Sequence, residues 1–206
     1  ANLVVFLAMM FFEADMLRFE LFPLDMRSGA QDKWISIITQ SAKFDPTWSQ
    51  AHFSIWQPLT YMFMHGNFEH LFFNMFALWM FGRVIEYDLG SKRFLTYYLI
   101  CGVGAGLMQL GVNAIEGGWA LTVGASGAVY GLLLAYGMLH PNNTIMLMFP
   151  PIALKAKWFV IIYGVIELFA GIASSGGSVA HYAHLGGMLW GLALLYWWRK
   201  RREIYF

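Results

Sequence analysis

Three stretches of this chain hold polar side chains at spacings that could perform acyl transfer: HGNFEHLFFN (65–74), VGASGAVYG (123–131) and HYAHLGG (181–187). Ser126, with Gly124 and Gly127 close by, is the candidate nucleophile. The glycines permit close backbone approach. The unpaired amides of a helix that starts there would face a developing oxyanion. A serine hydroxyl is a weak nucleophile until a base takes its proton, and His184 is the candidate base. His181, three residues earlier, competes for that role. His184 is preferred because it leads a glycine face, with Gly187 and Gly191 spaced as GxxxG, whereas His181 is assigned to the preceding loop. GxxxG spacing lets another helix approach closely, and a partner segment carrying Ser126 would bring the pair within hydrogen-bond reach. Tyr130, one turn from Ser126, could stack on the imidazole. His70 and Asn74, four residues apart, share a helix face and offer N–H donors to an oxyanion. His65 is read as a loop-anchoring hydrogen bonder. Each group also has a plainer reading: a small residue for helix packing at Ser126, and interhelical hydrogen bonds at His70 and Asn74.

The elements that must position these groups belong to a membrane protein. The chain has 206 residues, 59% hydrophobic, 18% aromatic and only 12% charged, with a mean hydropathy of +0.54. Soluble domains carry about a quarter charged residues. The net charge of +1 suggests no nucleic-acid partner. Cys101 is the sole cysteine, so no intrachain disulfide is possible.

Six apolar segments stand out, roughly 1–20, 68–87, 93–114, 126–140, 152–173 and 184–198. The expectation is an all-α, polytopic bundle of six transmembrane helices in one domain, 1–206. Helix 1 covers 1–20 and begins part-way, 21–67 forms an interfacial loop, 68–198 holds helices 2–6, and 199–206 is a tail. The start, ANLVVFLAMMFF, lacks the basic region of a signal peptide. Arg83, Lys92, Arg93, Lys155, Lys157 and the run Arg199–Arg202 fall on one side of such a topology, which places both termini in the cytoplasm. A bacterial plasma membrane is the expected location.

In that topology the second, fourth and sixth segments all enter from the non-cytoplasmic face, so their polar starts share one depth. From Ser126 to the HPNN turn is about 15 residues, or roughly 22 Å of helix. Against a hydrocarbon core about 30 Å thick, the serine lies several Å inside the membrane.

Other intramembrane chemistries fit less well. A zinc protease would use His-Glu-x-x-His, and HGNFEH has the wrong spacing. An aspartyl mechanism needs two facing carboxylates, and no second Asp is placed opposite Asp88. A transporter would show symmetric interrupted halves. No metal or cofactor is expected. Glu167, inside the fifth segment, is a functional candidate by its location; it could orient a histidine or line a wet gate, and it stays unassigned.

The ordered set HGNFEHLFFN, GASG and AHLGG resembles the rhomboid family of intramembrane serine proteases, and VIEYDLGS, with Glu86 and Gly90, matches that family's end of helix 2. The resemblance implies a Ser126–His184 dyad with no required third acid. It also implies an oxyanion hole of His70, Asn74 and the Ser126 amide. The substrates would be transmembrane segments of membrane proteins in the lipid bilayer, cut near the outer leaflet; the alternative is a non-catalytic binder of such helices. The oligomeric state is left open. The loop ASSGGSVAHY would cap the site, and Trp158, Phe159 and Phe169 would border substrate access. One departure is Gln57, which follows Trp56 where many members have arginine.

Overall fold

The computed structural model describes residues 1–11, 54–116, 122–147, 151–173 and 180–204. Helix α1 is Asn2–Phe11. A short α2 (Gln57–Thr60) runs into a 3-10 turn at Tyr61–Phe63. Helix α3 (Phe68–Ala77) continues through a π-helical stretch, Leu78–Gly82, into α4 (Arg83–Leu89). Then come α5 (Ser91–Glu116), α6 (Ser126–Leu139), strands β1 (Thr144–Met146) and β2 (Ala153–Lys155), α7 (Ala156–Ala173) and α8 (His181–Lys200). Most of the expected interfacial loop, the second half of the expected first helix and the centre of ASSGGSVAHY lie outside the described residues.

The protein is mostly helical, with one departure from the all-α expectation. β1 and β2 pair antiparallel, Thr144 opposite Lys155 and Met146 opposite Ala153. Strand β2 occupies Ala153–Lys155, so the fifth helix starts at Ala156 rather than near 152.

Local signals account for several helix ends. Asn67 caps α3 by accepting the His70 amide at 2.7 Å, an N-cap contact that offsets one unpaired donor. At the end of α4, Gly90 adopts φ 78° and its amide reaches Glu86 O at 2.8 Å. Ser91 Oγ then donates to the Glu86 carboxylate at 2.6 Å, joining α4 to α5. Gln57 is buried, and its Oε1 accepts the Ser54 amide at 3.1 Å. It thus ties down its own turn while Trp56 stays exposed.

Helix α6 lies at the centre. Gly127, Ala128, Val129, Gly131, Leu132, Leu133, Ala135 and Gly137 are all buried, and such small residues let neighbouring backbones approach. A side chain on Gly187 of α8 would collide with the Gly127 carbonyl of α6. Gly191, expected to serve the same contact, instead receives the Tyr97 hydroxyl of α5, which donates to Gly131 O at 2.8 Å. Four residues advance a helix by about 40° more than one full turn, enough to turn the second glycine toward a different neighbour.

Among the described residues, α5 over Ser91–Ile115 and α7 over Ala156–Ala173 are long and apolar enough to cross a membrane. Within an apolar 18-residue window of each, 50% and 22% respectively are buried, which marks α7 as the outlying helix. Its outward face carries Ile161, Ile162, Val165, Ile166, Phe169 and Ile172, all exposed.

Candidate active site

The N-terminal turns of α3, α6 and α8 converge. Ser126 opens α6, and its Oγ lies 2.9 Å from His184 Nε2 in the first turn of α8. The contact of Gly127 with Gly187 sits beside this pair, one residue from the serine and three from the histidine, and sets how closely the two helix ends approach. Tyr130 stacks on the His184 ring with centroids 4.2 Å apart and planes 7° from parallel. That contact restricts the imidazole to one plane.

Gly124 links this pair to α3. Its φ is 114°, a backbone region that side-chain-bearing residues rarely adopt. Its amide donates to Tyr61 O at 2.9 Å. A Cβ there would stand 2.6 Å from His70 Cε1, 2.7 Å from His70 Nε2 and 3.7 Å from Asn74 Nδ2. His70 and Asn74 therefore both lie against the backbone just before the serine. Asn74 is buried, and its Nδ2 donates to His70 O at 3.0 Å. His65 is almost wholly buried; its Nδ1 lies 3.3 Å from Phe63 O, and its ring meets that of His70 edge-on at 5.2 Å.

Glu167 brings the fifth helix into this group. It is 6% exposed, between Ile166 and Leu168 at 53% and 45%. Its Oε2 lies 3.0 Å from His184 Nδ1 and 2.7 Å from His181 Nδ1, and its Oε1 accepts the Tyr130 hydroxyl at 2.5 Å. His181 is the first residue of α8 and a partner of this carboxylate, a correction to its assignment to the loop. The Ala180 carbonyl already accepts the Ala183 and His184 amides, so the helix begins one turn earlier than the sequence suggested. The signal for Glu167 was a lone acid in an apolar helix; its partners lie on two other helices and are not visible in local spacing.

Ligand atoms of Glu167, His181 and His184 come within 4.8 Å of one another, a spacing that a cation could use. The same carboxylate oxygens are in hydrogen-bond contact with both rings and with the Tyr130 hydroxyl, so the group also has the geometry of a hydrogen-bond network.

Two other expected residues fall elsewhere. Phe159 is buried against Tyr163, with ring centroids 4.5 Å apart. Both it and Trp158 occupy the first turn of α7, roughly 12 Å of helix rise from Glu167. They do not border the site. Phe169, 66% exposed, is near its level.

Comparisons with known proteins identify the family. The family profile described as "Rhomboid domain" matches residues 52–201. Over 141 residues the chain is 36% identical to "Rhomboid protein 1, mitochondrial" of Saccharomyces cerevisiae, covering 66% of this chain and 39% of that protein. Over 156 residues it is 30% identical to "Rhomboid protease GlpG" of Salmonella newport, covering 74% of this chain and 51% of the relative; the Salmonella typhi protein of the same name matches equally. The chain thus spans about half or less of the length of these relatives. A profile match over most of the chain, with relatives at this identity, places it in the rhomboid family of polytopic integral membrane proteins.

Proposed function

We propose that this chain is the single membrane domain, 1–206, of an intramembrane serine endopeptidase. In this reading it crosses the bilayer six times with both termini in the cytoplasm of a bacterial plasma membrane. The observation that carries the reading is the 2.9 Å contact between Ser126 Oγ and His184 Nε2 at adjoining helix starts. A membrane-helix binder has no use for that contact.

In the proposed reaction, a substrate transmembrane segment unwinds near the outer leaflet and presents a peptide carbonyl to Ser126. Oγ bonds to the carbonyl carbon as His184 Nε2 takes the hydroxyl proton. The negative oxygen is met by the Ser126 amide, unpaired at the start of α6, and by donors from His70 and Asn74. Collapse breaks the C–N bond, and His184 returns the proton to the leaving nitrogen. An acyl-enzyme remains. Water, deprotonated by the same imidazole, attacks the ester carbon and frees Ser126.

The test is labelling of the detergent-solubilised protein with a fluorophosphonate, beside Ser126→Ala and His184→Ala. Label on the wild type, absent from both variants, is the expected result. A folded wild type that fails to label would overturn the protease reading in favour of a non-catalytic helix binder.

A further inference from the structure

We propose that Glu167 is a positioning residue for His184, so that this chain works with a Ser126–His184–Glu167 relay in which the acid comes from the outlying helix α7. The proposal rests on the protease reading above and adds a residue that the dyad reading does not need.

The inward stripe of α7 is Val160, Gly164, Glu167 and Gly171, at spacings of four, three and four. Val160 meets Gly137 of α6, Gly164 meets Met188 of α8, and Gly171 meets His181 and Tyr182. Glu167 is the one ionisable member of the stripe, and at its level α7 faces the two histidines. A carboxylate inside a membrane is costly unless it is paired. Both oxygens of this one have donors, from Tyr130, His181 and His184.

An ionised carboxylate can only accept hydrogen bonds. Nδ1 of His184 must therefore carry a proton, and in the neutral ring Nε2 is left with its lone pair. Nε2 is the atom that faces Ser126 Oγ. Glu167 thus selects the tautomer able to accept the serine proton. Tyr130 fixes the plane of the ring by stacking, and the Nδ1 contact fixes its rotation within that plane. When the imidazole becomes imidazolium, the carboxylate lies 3.0 Å from the new charge.

The obvious rival is a latch: Glu167 could merely hold α7 against α6 and α8. The two roles predict opposite changes. Loss of a latch would loosen α7 and ease probe access, lowering KI or raising the labelling rate. Loss of a positioning group would lower the rate of the bond-forming step while leaving KI unchanged.

The experiment is fluorophosphonate inactivation of the full chain across probe concentrations, which separates kinact from KI, for wild type and Glu167→Gln. The expected result is a fall in kinact of about ten- to hundredfold with KI unchanged. That is smaller than the roughly 10⁴ loss when the acid of a soluble triad becomes an amide, because stacking on Tyr130 still holds the ring. An unchanged kinact, or a lower KI with faster labelling, would overturn the proposal. If the wild type labels and Ser126→Ala does not, that failure leaves the protease reading standing. A second measurement needs no Glu167 variant: nitrogen-15 NMR of histidine-labelled protein, with His184 assigned by difference from His184→Ala. A protonated Nδ1 and bare Nε2 on His184 are expected. The reverse tautomer would refute the relay even if Glu167→Gln fails to fold.

Discussion

Replacing Gly187 by alanine tests whether backbone contact between α6 and α8 sets the Ser126–His184 distance. The added methyl would lie 2.7 Å from the Gly127 carbonyl carbon and 3.3 Å from its Cα, with the carbonyl oxygen nearer still. Both sides of that contact are backbone, so no side chain can swing away. Ordinary contact starts near 3.4 Å, so the helices must separate locally by roughly 1 Å. The contact is one residue from Ser126 and three from His184, so nearly all of that displacement reaches the pair. A 2.9 Å hydrogen bond then lengthens toward about 4 Å, beyond effective range. A misplacement of about 1 Å can cost on the order of 10² in rate. The assay is the fluorophosphonate labelling rate, with thermal unfolding followed in parallel. Gly164→Ala is the control, because its Cβ would meet only the flexible end of Met188 at 3.4 Å, and it should label at nearly the wild-type rate. A folded Gly187→Ala that also labels at the wild-type rate would refute the idea that this contact fixes the Ser126–His184 distance.

Gly124→Ala places a side chain at φ 114° and against the His70 ring. If His70 donates to the oxyanion, the labelling rate should fall about a hundredfold, in the range for loss of one such donor, with little change in probe affinity. A variant that labels normally would remove His70 from that role. His181→Gln keeps a donor near Glu167 and leaves the His184 contact in place. It should lower the unfolding temperature by a few degrees, as expected for weakening one charge-assisted hydrogen bond, with labelling changed by less than about threefold. A drop as large as that of Glu167→Gln would show that His181 shares the catalytic work.

What the sequence determined by itself was local in nature. A spacing of four residues puts His70 with Asn74 and Ser126 with Tyr130, because residues so spaced share a helix face. The order of the three motifs along a strongly apolar chain was enough to suggest the family and one shared membrane depth for the polar residues. Helix ends were legible to within about a turn where glycine or proline marked them, and missed at His181, where the Ala180 carbonyl, accepting the Ala183 and His184 amides, decided the start.

The rotation of each helix about its own axis was decided only in the tertiary structure. In a soluble bundle the polar face reveals that rotation. In a membrane the lipid-facing and core-facing sides are both apolar, so periodicity carries little information about which side packs inward. Phe159 therefore turned inward while Trp158 and Phe169 faced out, and Gly191 met Tyr97 instead of α6. For the same reason Glu167 could be recognised as unusual but not assigned. Its meaning depends on α7 facing α8 at the level of His184, a contact between residues 17 apart in sequence. Only the assembled helices fix that contact.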